Sequence, residues 1–581
     1  MKSETKTCQN CKKDFIIEPD DFSFYEKIKV PPPTFCPECR MIRRMSFRNE
    51  RTIYKRKCNL CNKDIVSIYR PDSPFIVYCY ECFYGDNWDY SKYGVDYDFD
   101  KSFLKQFSDL ILSTPKLANQ ASNNLVNSEY TNHVESLKNC YLLFASRNNE
   151  ECMYCTHVNY SKNLMDCYRV SKSELCYQCV DCDNGYNLKY SIQSQSCVDS
   201  WFLFNCRGCT DCFLSSNLIN KSYCINNEQC TKEQYQDFMK ELLTGNHQTV
   251  IDFLDKFNIL KMNTIRKSSE GVNNIFSSGN YLKNTKNCKN CFDISDSEDC
   301  KFLGYCNNAK DVMDGYAIYP TTEFSYEVVG AGVNAFGNLF SYLPWEGALN
   351  LVYCINAFPD CKNCFGCTQI RHKQYCILNK QYTKKEYEEL VPKIIKHMND
   401  MPYVDSRGIV YKYGEFFPSE LSPFYYNETI AQEYFSLKKE QAISQGHKWK
   451  EKEDRNYSID IQNKDIPYDI KDVKDNILGK VIECAHKGEC NQQCTEAFRI
   501  IPEELQFYKR MNLLLPRLCS NCRHYERLLE MNPMKLWKRE CMCNKTSHSH
   551  KGKCTVEFET SYAPERPEIV YCERCYQQEV Y

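Results

Sequence analysis

The N-terminal stretch carries eight cysteines in C-x2-C pairs: Cys8 and Cys11, Cys36 and Cys39, Cys58 and Cys61, Cys79 and Cys82. Taken two by two, the pairs are joined by one longer connection, Cys11 to Cys36, and one shorter, Cys61 to Cys79. Such spacing lets two short knuckles close four thiolates around one soft divalent ion. The intervening segments are small and polar and bury too little apolar surface to fold unaided. A structural zinc supplies on the order of 10 kcal/mol of folding free energy. The spacing therefore predicts two metal sites in series.

The pattern returns at the other end. Placing Cys11 on Cys494 aligns the two ends without a gap as far as Cys58 on Cys541, with Phe24-Tyr25 on Phe507-Tyr508 and "FCPECR" on "LCSNCR". Asn491 stands where Cys8 aligns, so the third site is expected from Cys490, Cys494, Cys519 and Cys522. The fourth is expected from Cys541, Cys554, Cys572 and Cys575, with ten extra residues in its first knuckle. Cys484, His486, Cys543, His548 and His550 are left over. Unless those loop histidines are simply solvated, a fifth, mixed site is expected from Cys484, His486 and Cys543 with His548 or His550.

The stretch "CQNCKKDFIIEPDDFSFYEKIKVPPPTFCPECR" resembles the probable zinc-ribbon domains of treble-clef type, in tandem pairs at both termini. The cofactor expected is Zn2+ in four sites, five with the mixed one. The resemblance implies that each second C-x2-C opens a helix, where free N–H groups and the helix dipole favour thiolate. The family is named for its metal and not for an activity.

Between the two ends, C-x2-C pairs at 152/155, 179/182 and 206/209 recur at one fixed interval, the same that separates Cys140 from Cys167. Internal repetition of this kind means stacked units. Tyr, Val and Leu mixed with Asn, Ser and Asp favour short strands and turns, so the chain is read as a β-solenoid. Its cysteines either pack inward as small side chains or hold metal along an edge, and packing is the preferred reading. A second array covers 281 to 380, and its end repeats the end of the first, "CKNCFGCTQIRHKQYC" against "CTDCFLSSNLINKSYC". Helices near 231–243 and 383–399 are expected to cap the last coils. The glycine-punctuated stretch between Cys306 and Cys354 is read as further coils.

The fold class expected is thus mainly β and multidomain, with zinc-ribbon pairs flanking Cys-rich β-solenoid repeats that carry short capping helices. Residues 1–99 form the first pair, 100–119 a linker helix, 120–245 the first repeats and 246–280 a helical linker. Residues 281–400 form the second repeats, 401–480 a linker with a helix from Asn427 to Gln445, and 481–581 the duplicate pair.

Function is less constrained. No apolar run reaches the roughly 18 residues of a membrane helix, and "MKSETKTCQNCKK" lacks a signal-peptide core, so a cytoplasmic protein without a membrane partner is expected. The net charge of −2 offers no global attraction to polyanions. A local one is expected after the first site, where Arg40, Arg43, Arg44, Arg48, Arg51, Lys55, Arg56 and Lys57 face only Glu38 and Glu50. No phosphate loop, nucleophile elbow or HExxH helix occurs, and four cysteines close a zinc shell, so no catalysis and no small-molecule substrate are expected. The expected function is a zinc-binding, non-catalytic scaffold or adaptor taking RNA or a ribonucleoprotein through the basic helix. A protein-protein scaffold without nucleic acid is the alternative, and metal storage or thiol redox work the second. Two copies of the module would act as a bivalent grip on the partner.

Overall fold

The computed structural model describes residues 2–121, 124–243, 247–317, 321–330, 332–344, 346–452 and 457–581. The chain is mostly short strands in many small sheets. From Leu125 to Ile225 it winds in twelve-residue coils, each pairing in parallel with the next: Tyr186 with Val198, Val198 with Thr210, Thr210 with Ser222. A second stack runs from Gly271 to Gln381. The step is eleven at the first pairing, as Gly271 with Leu282, then twelve, as Phe292 with Gly304, and twelve again at the far end, as Phe365 with Ile377. It lengthens to thirteen in the glycine-punctuated middle, as Thr322 with Ala335.

The building unit is a triplet. Met153 makes a ladder bridge, Tyr154 is left-handed (φ 56°) and Cys155 points inward with no exposed surface; Thr156, His157 (φ 56°) and Val158 repeat the cycle. Left-handed backbone costs an ordinary L-residue about 1–2 kcal/mol, and after glycine Asn and Asp tolerate it best. Hence Asn148, Asn163, Asp166, Asp181, Asn184 and Asn187 recur at these corners. Such corners bond to their neighbours one coil on, as Asn205 Nδ2 to Asn217 Oδ1 at 2.7 Å.

Each triplet has three N–H groups to satisfy. The ladder residue donates forward (Met153 N to Leu164 O, 2.9 Å) and the left-handed residue donates back (Tyr154 N to Tyr141 O, 2.9 Å). The inward residue's N–H is left over, and where the previous coil places serine or cysteine at the same position that side chain can accept it: Val158 N to Ser146 Oγ at 3.0 Å, Cys167 N to Cys155 Sγ at 3.3 Å. The accepting groups themselves donate to the carbonyl two residues back, Ser146 Oγ to Phe144 O at 2.7 Å and Cys155 Sγ to Met153 O at 3.1 Å. The interior thus calls for small side chains that both donate and accept. Serine and cysteine fit it, and burial pushes the thiols of Cys152, Cys155 and Cys179 well up.

This changes the meaning of the central C-x2-C pairs. The interval from Cys140 to Cys167 is nine triplets but not a whole number of coils. Cysteines any multiple of three apart point inward, so Cys152 and Cys155 are adjacent corners of one coil interior, not a knuckle.

Each stack ends in an antiparallel pair, Ser222–Ile225 with Glu228–Gln229 and Cys376–Ile377 with Lys380–Gln381. A helix follows each, Lys232–Leu243 and Lys384–Asp400, the latter opened by a reciprocal Thr383–Glu386 capping box. Helices Phe103–Ser113 and His247–Asn263 precede the two stacks. No helix among the described residues is long and apolar enough to cross a membrane.

The segment 401–480, expected as a linker, is packed: Tyr411, Phe416, Phe417, Phe424 and Tyr426 are buried. Its expected single helix is two short ones, Ile430–Tyr434 and Lys439–Ser444. The break between them is fixed by Gln432, whose Oε1 takes the N–H of Leu437 at 3.1 Å.

The ends of the chain pack crosswise. One core joins the N-terminal residues, helix Phe103–Ser113 and the 409–424 segment to Tyr326, Phe340, Tyr353 and Phe365 on the outside of the second stack. Another joins helix Pro502–Met511 to Tyr177, Phe202 and Phe213 on the outside of the first.

Candidate metal centres

Four cysteine quartets are assembled in the same way. In each, the first cysteine follows a strand, the second lies in or after the turn, and the third caps a helix whose first turn carries the fourth. The helices are Pro37–Met45, Tyr80–Tyr84, Ser520–Leu529 and Glu573–Val580, capped by Cys36, Cys79, Cys519 and Cys572. The N–H of the capping cysteine donates to the sulfur of the first: Cys36 to Cys8 and Cys79 to Cys58 at 3.3 Å, Cys519 to Cys484 and Cys572 to Cys541 at 3.2 Å.

The sulfurs of each quartet lie within 4.8 Å of one another. Individual edges are 3.7 Å (Cys11–Cys36), 3.8 Å (Cys61–Cys79), 3.5 Å (Cys519–Cys522) and 4.0 Å (Cys554–Cys572). A tetrahedron with metal–sulfur bonds of about 2.3 Å has edges of about 3.8 Å. The quartets therefore have the size of a closed metal shell and are much too open for disulfides. The sulfurs of a quartet are shifted in opposite directions: hydrogen bonds from Cys36 and Cys39 hold Cys8 far below the usual thiol range, and those from Cys484, Cys494 and Cys522 do the same for Cys519, while the same hydrogen bonds push Cys36 and Cys522 up. Backbone N–H groups overcome burial to bring Cys58 down to about 7.

Cys8, Cys11, Cys36 and Cys39 come together, as do Cys58, Cys61, Cys79 and Cys82, and Cys541, Cys554, Cys572 and Cys575. The third group differs from expectation. Cys484, not Cys490, takes the first position with Cys494, Cys519 and Cys522, because it follows the strand Ile482–Glu483 and receives the Cys519 N–H. Cys490 sits at the margin, its sulfur 3.7 Å from Cys522. Nine residues then separate Cys484 from Cys494, as twelve separate Cys541 from Cys554. That shared lengthening of both C-terminal knuckles is the signal in the sequence that points to Cys484. The expected combination of Cys484 and His486 with Cys543 does not form, since Cys484 belongs to the third quartet while Cys543, His548 and His550 gather at Cys575.

The expected basic face is not a surface. Arg40, Arg43, Arg44 and Arg48 are 1–3% exposed. Arg40 Nε is 2.8 Å from Asp314 Oδ2 and Arg44 Nη2 3.3 Å from Oδ1 of the same carboxylate. Arg43 lies 2.9 Å from Glu327 and 3.3 Å from Glu415, and Arg48 2.6 Å from Glu50. Arg51 donates to Thr156 Oγ1 at 2.8 Å and Arg56 to the Arg70 carbonyl at 2.9 Å. Of Arg40, Arg43, Arg44, Arg48, Arg51, Lys55, Arg56 and Lys57, only Lys55 and Lys57 are exposed, and Lys57 Nζ lies 2.7 Å from Asp64 Oδ2. The N-terminal segment gives no hint of the partners, because Asp314, Glu327 and Glu415 are supplied from far along the chain.

The C-terminal copy makes the matching joint with the other stack. Arg523 and Arg527, which align with Arg40 and Arg44, reach Asp166 at 3.3 and 2.9 Å. Asp314 and Asp166 are both buried left-handed corners (φ 65° and 55°). Phe24 and Tyr25 pack on Tyr326, with ring centroids at 6.3 and 5.4 Å; Phe507 and Tyr508 pack on Tyr177 at 6.5 and 6.1 Å. The second quartets repeat the symmetry. Val77–Tyr78 pairs in parallel with Lys116–Leu117 just before the first stack, and Val570–Tyr571 with Arg266–Lys267 just before the second. Each module therefore touches both stacks, and the duplicated grip is turned inward on the chain itself.

No family model matches this chain. No curated protein matches it significantly either.

Proposed function

We propose that the protein is a non-catalytic scaffold in which four zinc ions, each closed in a treble-clef-type shell of thiolates, hold two β-solenoids together. The observation that carries the reading is the repeated quartet geometry, four helix-capping cysteines each donating to the first sulfur of its group at 3.2–3.3 Å. A sulfur set of this size suits zinc over harder ions, and a shell of four protein ligands leaves no open position for substrate.

None of the 40 cysteines is in a disulfide, which suits a reducing compartment such as the cytoplasm. With the arginines of both capping helices engaged internally, polyanion binding loses the residues that argued for it. A protein partner laid along the repeat surfaces is favoured instead, since such surfaces take extended partners. Elemental analysis of the purified full chain tests the metal reading. At least four zinc ions per chain, with an absorption-edge fit giving zinc–sulfur distances of about 2.3 Å, is the expected result. A folded chain free of metal after chelation overturns it. Co-purified nucleic acid released steeply by salt would restore the RNA reading.

A further inference from the structure

The lengthened knuckle between Cys541 and Cys554 folds back over the last helix. The Ser549 N–H donates to Gln578 Oε1 at 3.2 Å, and Cys543, His548 and His550 are thereby brought to Cys575 with all four ligand atoms within 4.8 Å of one another. Cys543 Sγ is 3.1 Å from His548 Nδ1 and 3.3 Å from His550 Nε2.

The far nitrogen of each ring is occupied. His548 Nε2 lies 3.2 Å from Glu579 Oε2 and His550 Nδ1 2.8 Å from the Gly552 carbonyl. A carboxylate and a carbonyl only accept, so in neutral rings those nitrogens carry the protons and the near nitrogens present lone pairs. Two lone pairs then face one sulfur that has at most a single proton to offer. A cation resolves this arrangement. Metal-bound histidines are oriented in this manner, by a carboxylate or carbonyl on the outer nitrogen.

We propose that Cys543, His548, His550 and Cys575 hold a second divalent ion, and that the fourth quartet is one half of a two-zinc cluster bridged by the Cys575 thiolate. Cys541, Cys554 and Cys572 complete the shell of one ion; Cys543, His548 and His550 complete that of the other. Charge favours the pairing. Four thiolates around one divalent ion leave a net charge of −2, and a second ion arriving with one more thiolate brings the cluster to −1. The mixed sulfur and imidazole set suits zinc. The aligned N-terminal site has no such neighbour, because only two residues separate Cys58 from Cys61.

The inference goes beyond the four all-sulfur sites and is tested apart from them on the full chain. Elemental analysis is expected to give five zinc ions in the natural sequence and four in the His548→Ala/His550→Ala variant. Glu579→Gln is expected to keep five but to release one of them to a chelator about 10–100-fold more readily. With cobalt in place of zinc, a bridged pair couples magnetically and its resonance signal is quenched, and the double-histidine variant restores the signal. Four zinc ions in the natural chain, or an unchanged count and spectrum in the double variant, overturns the cluster and leaves the four sulfur sites standing. A chain with no tightly held metal fails both.

Discussion

The two joints between module and stack share a frame and differ in how they are charged. At the N-terminal joint Asp314 answers Arg40 and Arg44, while Arg43 is answered by Glu327 and Glu415. At the C-terminal joint Asp166 answers Arg523 and Arg527, and each arginine has a further partner, as Arg40 has in the Phe35 carbonyl at 2.7 Å. Arg523 Nη1 donates to Tyr508 Oη at 2.9 Å and Arg527 Nη2 to the Tyr154 carbonyl at 3.1 Å. The helix aromatics and the corner aspartate set the frame. The remaining charges are adjusted by whatever acid or hydroxyl each stack places nearby, so a duplicated module needs only a few fixed residues to seat twice.

Breaking a quartet removes a joint altogether. Cys36→Ser and Cys519→Ser are each expected to lose one zinc by elemental analysis. Each should forfeit metal-linked folding free energy of up to about 10 kcal/mol, seen as fast hydrogen exchange confined to the affected module and the stack face beneath it.

Removing the corner acids comes next. Leaving buried arginines unpaired costs about 3–5 kcal/mol, so Asp314→Ala and Asp166→Ala should both lower the unfolding midpoint. Asp314→Ala is expected to cost more, because Asp314 is the acid within ion-pair distance of Arg44 among the described residues. The double variant separates independent from coupled joints, according to whether the two losses add.

A third difference lies where each second quartet meets the strand before a stack. Lys116 is buried with no hydrogen-bond partner for its Nζ among the described residues, and burial brings it down to about 7. Its counterpart Arg266 lies over Phe204 with its guanidinium 4.5 Å from the ring centre. An unfolded lysine titrates near 10.4, so between about pH 7 and 10 the unfolded chain holds a proton that the folded chain lacks. Stability therefore rises with pH across that window. Lys116→Met should flatten the slope and stabilise the protein at pH 7 by a few kcal/mol, on the order set by that shift, in denaturant titrations at the two ends of the window.

The smallest effect is in the coils. Cys155→Ala leaves the Cys167 N–H without its acceptor and should cost about 1–3 kcal/mol, whereas Cys155→Ser supplies an oxygen in the same place and should be nearly neutral. Zinc content should be unchanged in both.

Much of this is readable in the sequence, and the failures share a cause. C-x2-C at the ends, set between a strand and a helix start, describes the quartets. The same pattern in the middle describes a three-residue turn, and only backbone pairing distinguishes the two. The coil length is hidden because the interval between recurring cysteine pairs satisfies the triplet but not the twelve-residue turn. Spacing alone favours Cys490 over Cys484, although the Cys541–Cys554 knuckle is lengthened in the same way. Arg40, Arg43 and Arg44 read as a surface because Asp314, Glu327 and Glu415 are contributed from far along the chain. A local charge balance says nothing about acids that arrive from elsewhere in the fold.

The crosswise packing also dictates an order of events during synthesis. Arg40 waits for Asp314, 274 positions later, and Asp166 waits 361 positions for Arg527. A chain made from its N-terminus thus completes the first stack and covers Phe202 and Phe213 at once with Phe253 of the helix that follows, while Tyr177 and Asp166 wait for Phe507, Tyr508 and Arg527. Until then the growing polypeptide carries an open patch, one aromatic ring beside one buried acid, and a segment made much later closes it.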